Sequence, residues 1–266
     1  MDLELKGKRA LVTGSSAGLG EAIAKALAKE GAEIVIHGRH EERANKVAEA
    51  IRAAGGKAEI ALGDLSFDEG AKAVAAAALS NGTIDILINN AGAYAHTGWL
   101  DTSAEDWLNT YNLNVVSYIR MVQQLLPEMK KKNWGRIINI GGGLGIQPLA
   151  IQPHYSASLA ARHNLSVSLA RELTGTGITS NVVSPGAIIN PGVKKWLINE
   201  SVKHNWGNSF EEIERAAVKE LVPNNCNRFG RPEEIANAVL YLVGPHSDYV
   251  SGALLRVDGG TVRSIH

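Results

Sequence analysis

The feature that most constrains this chain is a glycine-spaced turn held between two regular elements. The apolar run Arg9-Ala10-Leu11-Val12 enters Thr13-Gly14-Ser15-Ser16-Ala17-Gly18-Leu19-Gly20, and the stretch Glu21–Gly31 follows as good helix formers closed by a glycine. Strand, glycine turn and helix in that order is the context a dinucleotide site requires. The glycines let the backbone approach a pyrophosphate closely. The helix N-terminus adds unpaired N–H groups and positive partial charge. On this reading Gly14, Ser15, Ser16, Gly18, Leu19 and Gly20 form a phosphate cradle.

The alternation persists along the chain. Strand-type runs at 33–37, 57–62, 84–88, 136–140, 178–183 and 252–260 are separated by helical stretches. That order predicts an α/β fold, with a mostly parallel sheet and helices on both faces. At 266 residues with no linker-like stretch, one domain over 1–266 is expected. Residues 191–226 break the rhythm, carry Trp196, Trp206 and Phe210, and read as a substrate-covering lid.

Composition removes several classes of partner. Lys+Arg 27 against Asp+Glu 27 leaves no general attraction to nucleic acid or to an anionic membrane. The single cysteine, Cys226, has no disulfide partner and no metal-ligand spacing around it, so no metal is expected. With no apolar leader and no run long enough to span a bilayer, the sequence reads as soluble and cytoplasmic.

The second strand ends in His37-Gly38-Arg39, where NAD-binding folds usually place an acid for the ribose hydroxyls. A guanidinium instead suits a 2′-phosphate, so NADP(H) is favoured over NAD(H). The other reading of Arg39 is a solvated loop charge.

Further along stand Asn89-Asn90-Ala91-Gly92, then Tyr155 within Pro153–Leu165, Ser184-Pro185-Gly186-Ala187-Ile188, and Gly252–Gly260. With the glycine turn, these resemble the short-chain dehydrogenase/reductase family over nearly the whole chain. The resemblance implies a Rossmann-type doubly wound, three-layer fold with a seven-stranded, mostly parallel sheet. It also implies an NAD(P)-dependent oxidoreductase in which Tyr155 exchanges a proton with the substrate oxygen. Asn114 would interrupt its helix and hold a water in the proton relay; a mid-helix Asn without a role is the alternative. Asp64, followed by Leu65, would touch the adenine amino group, or serve as a turn or N-cap residue. Asn90, Ala91 and Gly92 would lie beside the cofactor ribose, and Pro185, Gly186 and Ile188 would orient the nicotinamide carboxamide. Asn190 stands where relatives often have a diphosphate-binding Thr. Ala17 stands where many NADP-preferring relatives carry a basic residue. Dimers and tetramers built on helices 104–132 and 155–175 are common in the family, so a homotetramer is expected.

Two groups of the family pattern are missing. Tyr-x-x-x-Lys here ends in Leu159, and the Ser expected thirteen residues before the Tyr is Gly142, inside Gly141-Gly142-Gly143-Leu144-Gly145. In the family the Lys lowers the Tyr pKa and the Ser bonds the substrate oxygen. A phenol with a pKa of about 10 is ionised about one part in a thousand at pH 7, and an apolar neighbour raises that pKa further. Loss of an oxyanion donor costs roughly 10²–10³ in rate. Carbonyl reduction suffers less than alcohol oxidation, because Tyr155 then acts as an acid with its proton on.

Three stand-ins offer themselves. Arg162 shares a helical stripe with Tyr155 and Leu159, although a surface or interface arginine is the simpler reading. His154 reads first as a loop histidine without a role. The Gly141–Gly143 run could give backbone donors or space for a bulkier substrate. Tyr94, His96 and Trp99 are expected to line the pocket, which implies a small apolar or aromatic substrate. The expected activity is NADP-dependent carbonyl reduction. A lyase, dehydratase or isomerase using Tyr155, and a cofactor-binding pseudoenzyme, are the alternatives.

Overall fold

Each apolar run ahead of a turn becomes a strand, and each run of helix formers behind it becomes a covering helix. The computed structural model describes residues 2–95 and 97–265. The first half contains β1 (Arg9–Val12), α1 (Gly18–Lys29), β2 (Glu33–Gly38), α2 (Glu41–Ala53), β3 (Lys57–Leu62), α3 (Asp68–Leu79) and β4 (Ile86–Asn89). The second contains α4 (Ala104–Tyr111), α5 (Ser117–Lys132), β5 (Gly135–Ile140), α6 (Pro153–Glu172), β6 (Ile178–Pro185), α7 (Pro191–His204), α8 (Phe210–Leu221), α9 (Pro232–Val243) and β7 (Leu254–Val257).

The strands form one sheet in the order β3-β2-β1-β4-β5-β6-β7, and every pairing is parallel. β1, β4, β5 and β6 are buried along their whole length, as strands covered on both faces must be. Ile23, Leu27, Val47, Ile51, Val239 and Leu242 bring α1, α2 and α9 onto one face. Val74, Ala78, Met121, Leu125 and Leu173 bring α3, α5 and the end of α6 onto the other. The strand order reverses between β1 and β4, so their carboxyl ends open the crevice where such sheets hold ligands.

Two local departures shape that crevice. The stretch 104–132 is two helices joined by a π-helical segment, Asn112–Val116. Ser103 starts α4 with a capping box to Asp106. Asn114 then turns its amide away to bond both backbone groups of Ala93, each at 2.9 Å. Further on, α7 and α8 close over a small core of their own, built from Leu197, Trp206, Ile213 and Val218 with Phe229. No helix among the described residues is long and apolar enough to cross a membrane.

A buried polar chain fixes the sheet to α6. Asn89 Nδ2 donates to Asn139 Oδ1 at 2.9 Å, Asn139 Nδ2 to Ser166 Oγ at 2.6 Å, and Ser166 Oγ to the Arg162 carbonyl at 2.8 Å. Asn139→Ala removes the middle link and leaves polar groups unpaired on both sides, each costing about 1–3 kcal/mol. The expected result is a loss of about 2–4 kcal/mol in urea unfolding with an unchanged denaturant slope.

Candidate active site

The glycine turn is built as a cradle. Gly18 adopts φ +62, and a Cβ added there would meet nothing within 4 Å, so the space above the start of α1 is open. Ala17 caps α1 without a side-chain hydrogen bond, which leaves the first N–H groups of the helix to a ligand. Gly20 serves a different need: a Cβ there would stand 2.5 Å from both Asn90 Nδ2 and the Gly14 carbonyl. Asn90 Nδ2 donates to Thr13 O at 2.9 Å, and Thr13 Oγ1 accepts from the N–H groups of Asn90 and Ala91. The turn after β1 and the turn after β4 are thus laced together. Ser15 is buried, donating to Val12 O, while Ser16 faces Gly38. Leu19 packs on the core. These residues fit a dinucleotide pyrophosphate without any side chain obstructing it.

The ribose end departs from the usual arrangement. His37 is buried and spans the two loops: Gly14 N–H donates to its Nδ1 at 2.9 Å, and its Nε2 lies 3.1 Å from the Gly63 carbonyl. The first bond makes Nδ1 the acceptor, so Nε2 carries the proton. Burial pushes the His37 pKa down to about 4. Arg39 lies 3.6 Å from Asp64 with its side chain 63% exposed, an ion pair of little strength that a ligand can displace. Asp64 Oδ1 accepts the Ser66 N–H, a bond that, with Arg39, holds its carboxyl below the usual range. Asp64 is therefore a turn residue; the N-cap of α3 is Phe67. Leu65 is buried beneath this loop. Across the crevice, Pro185 ends β6, Gly186 N–H donates to Val257 O, and Ile188 pairs with Gly230. Asn190 caps α7 by accepting the Val193 N–H at 3.0 Å.

Tyr155 opens the reactive end from the first turn of α6. Its ring centre lies 5.7 Å from that of Tyr94, and burial raises its pKa, against an opposing effect from Arg162. Trp99 and Trp196 are exposed, while His96 lies outside the described residues. His154 is not a loop residue: it is buried in α6, 6.1 Å from the Trp107 ring.

Arg162 is neither a surface nor an interface arginine. It is 3% exposed. Nε donates to the Asn114 carbonyl at 2.6 Å, Nη1 to Ile140 O at 2.9 Å and Nη2 to Ala91 O at 3.4 Å. Its guanidinium carbon stands 4.4 Å from the centre of the Tyr118 ring. Gly92 makes room for it, since a Cβ there would come 2.6 Å from Nη2. Asn114, in the π segment, thus bonds Ala93 and Ser158 through its side chain and accepts from Arg162 through its carbonyl.

The glycine run opposite does not leave a void for substrate. A Cβ on Gly142 would stand 2.9 Å from Leu159 Cδ1, and Cβ atoms on Gly141 and Gly145 would stand 2.5 and 2.6 Å from the His163 ring. Leu159 and His163 fill the space that the missing side chains vacate. Burial and Arg162 push the His163 pKa down to about 4. Sequence reasoning missed this pairing. The one available signal was that Leu159 and Gly142 depart from the family pattern together.

With this geometry in place, similarity to known proteins can be compared. A family model described as short chain dehydrogenase matches residues 8–200. The uncharacterized oxidoreductase YvaG of Bacillus subtilis is 37% identical over 268 residues, with 100% of each chain covered. A 3-oxoacyl-[acyl-carrier-protein] reductase of Aquifex aeolicus is 35% identical, covering 98% of this chain and 99% of its own. Among solved structures, L-sorbose reductase from Gluconobacter frateurii, complexed with NADPH and L-sorbose, superposes with a TM-score of 0.92 at 32% identity, with 100% of both chains covered. These relatives are oxidoreductases, which favours redox chemistry over a lyase or a pseudoenzyme.

His37 makes acid stability testable. Its folded-state pKa, about 4, lies below the ordinary histidine value of 6.5, so in that window the unfolded chain binds the proton that the folded chain refuses. The stabilising contribution is complete above pH 6.5 and is lost as pH falls toward 4. Between pH 7 and 5 the wild type should lose about 2 kcal/mol more in urea unfolding than His37→Gln.

Proposed function

The chain belongs to the short chain dehydrogenase family and is an oxidoreductase of that type; on that premise we propose that it is an NADP(H)-dependent reductase of ketones or aldehydes with Tyr155 as proton donor. The observation that carries the direction is the half-buried phenol, set in the first turn of α6 against the Tyr94 ring. A tyrosine whose pKa is raised keeps its proton throughout the neutral range, which suits an acid and handicaps a base.

NADPH, when bound, supplies the hydride for the carbonyl carbon. Gly14, Ser15, Ser16, Gly18, Leu19 and Gly20 hold the pyrophosphate end, and Arg39 leaves its loose pairing with Asp64 for the 2′-phosphate. The NADPH in the sorbose reductase complex, and the absence of an acid at position 37, support this choice. Asp64 and Leu65 flank the adenine. Asn90, Ala91 and Gly92 lie at the ribose, and Pro185, Gly186 and Ile188 at the nicotinamide. Tyr155 delivers its proton to the carbonyl oxygen, and Asn114 holds the backbone behind it.

Tyr94, Trp99 and Trp196 give the substrate an apolar, aromatic wall. The unit formed by α7 and α8, within residues 191–226, closes over it as a lid on its own small core. Exposed Leu108, Val116 and Ile119 on 104–132, with Val167 on α6, supply the apolar faces of a homo-oligomer, a dimer or tetramer. The neutral net charge and lone Cys226 fit a cytoplasmic enzyme with no need of nucleic acid, membrane or metal.

The test combines binding with turnover. Fluorescence titration should show micromolar NADPH binding, weakened about tenfold by Arg39→Ala, with NADH little affected. Tyr155→Phe should bind NADPH normally and slow ketone reduction roughly 10²–10⁴-fold. A protein that binds neither cofactor contradicts the proposal.

A further inference from the structure

Taking a guanidinium out of water costs several kcal/mol unless the protein replaces its hydration. For Arg162 the replacement is unusual. It meets three main-chain carbonyls and one aromatic face; no Asp or Glu among the described residues forms an ion pair with it. The charge is therefore solvated by dipoles and left electrically uncancelled. Structural arginines elsewhere in this chain are treated differently: Arg9 pairs with Glu59, Arg136 with Asp248, Arg228 with Glu234 and Arg231 with Glu214.

The groups around this charge belong to the reactive end of the crevice. The Asn114 carbonyl comes from the π segment, Ala91 from the turn after β4, and Ile140 from the end of β5 next to the glycine run. Titratable neighbours are Tyr155 and His163 on α6, Tyr118 on α5 and Tyr94 beyond β4; Asp106 and His154 meet at the entry of α6. A positive charge disfavours protonation of His163 and favours the phenolate of Tyr155. Leu159, one turn nearer the tyrosine, carries no charge and fills the space beside Gly142.

We propose that Arg162 is the positioning residue of this site: it holds the Asn114 carbonyl and supplies, two turns along the same helix, the positive charge toward Tyr155 that Leu159 lacks. The inference rests on the reading of Tyr155 as proton donor. It assigns the cation to a residue that touches neither substrate nor the transferred proton and acts through Tyr155.

The experiment reads the tyrosine directly and needs no turnover. A difluorotyrosine placed at position 155, whose lower intrinsic pKa brings the titration into the native range, is followed by fluorine NMR. Arg162→Gln keeps amide donors for the carbonyls while removing the charge, and should raise the midpoint by about one pH unit. Arg162→Lys should recover at least half of that shift. In the difluorotyrosine protein with Arg162 intact, nitrogen NMR of the Arg162 Nε should show an inflection at the same midpoint, absent in Tyr155→Phe; this measurement stands even where Arg162→Gln does not fold. An unchanged midpoint in folded Arg162→Gln, or a flat Arg162 signal through the tyrosine titration, overturns the proposal. Failure to bind NADPH would overturn the reductase reading and leave these titrations intact, so the two failures are distinguishable.

Discussion

The hydrogen bond from Arg162 Nε to the Asn114 carbonyl joins α6 to the π-helical segment Asn112–Val116, and the reactive end depends on it. Asn114 commits its side-chain amide to Ala93 and takes the guanidinium on its carbonyl. The guanidinium reaches it because Gly92 has no side chain to block Nη2. Its remaining donors tie the turn after β4 to the end of β5. Because a buried cation must keep all of its dipoles, these segments hold one another in register, and the position of Tyr155 on α6 follows from them.

Two losses relative to the family pattern prove to be one repacking. A serine at 142 would bring its Cβ to 2.9 Å from Leu159 Cδ1, and a lysine at 159 would enter a helix that already carries a buried cation at 162. Each substitution makes the other tolerable. His163 completes the exchange by filling the hollows at Gly141 and Gly145. On the proposed reading, what is lost is a hydroxyl near the substrate oxygen; what is kept is a half-buried phenol and a positive charge in its field. That balance suits proton donation to a reduced carbonyl better than proton removal from an alcohol.

The fold was legible because its signals are local and periodic. The glycine turn between β1 and α1, the Asn89–Gly92 tetrapeptide and the strand–helix alternation each report on a few consecutive residues, and the structure places them together. Asn114 was legible as a break only through the family resemblance; the physical reason is that an asparagine inside a helix competes with the helix ladder. Arg162 was not. Helical spacing put it on the stripe of Tyr155 but says nothing of depth, and an arginine on a helix is usually solvated. Its burial depends on Gly92, seventy residues away in sequence, and on a carbonyl of the π segment. His37 was noticed only as a missing acid. Its bridge from Gly14 to Gly63 needs the register of β2 between β1 and β3.

With Arg162 standing in for a lysine, positions 159 and 162 are alternative seats for one cation. A double-mutant cycle in Leu159→Lys and Arg162→Leu, read as unfolding free energy at neutral pH, tests it most directly. Alone, Leu159→Lys should destabilise by crowding two buried charges, and Arg162→Leu by stranding three carbonyls. Together they should cost less than the sum by about 2 kcal/mol or more, and the pair should refold with a native-like spectrum. Additivity within about 0.5 kcal/mol would mean that the two positions do not share a site, and would contradict the account.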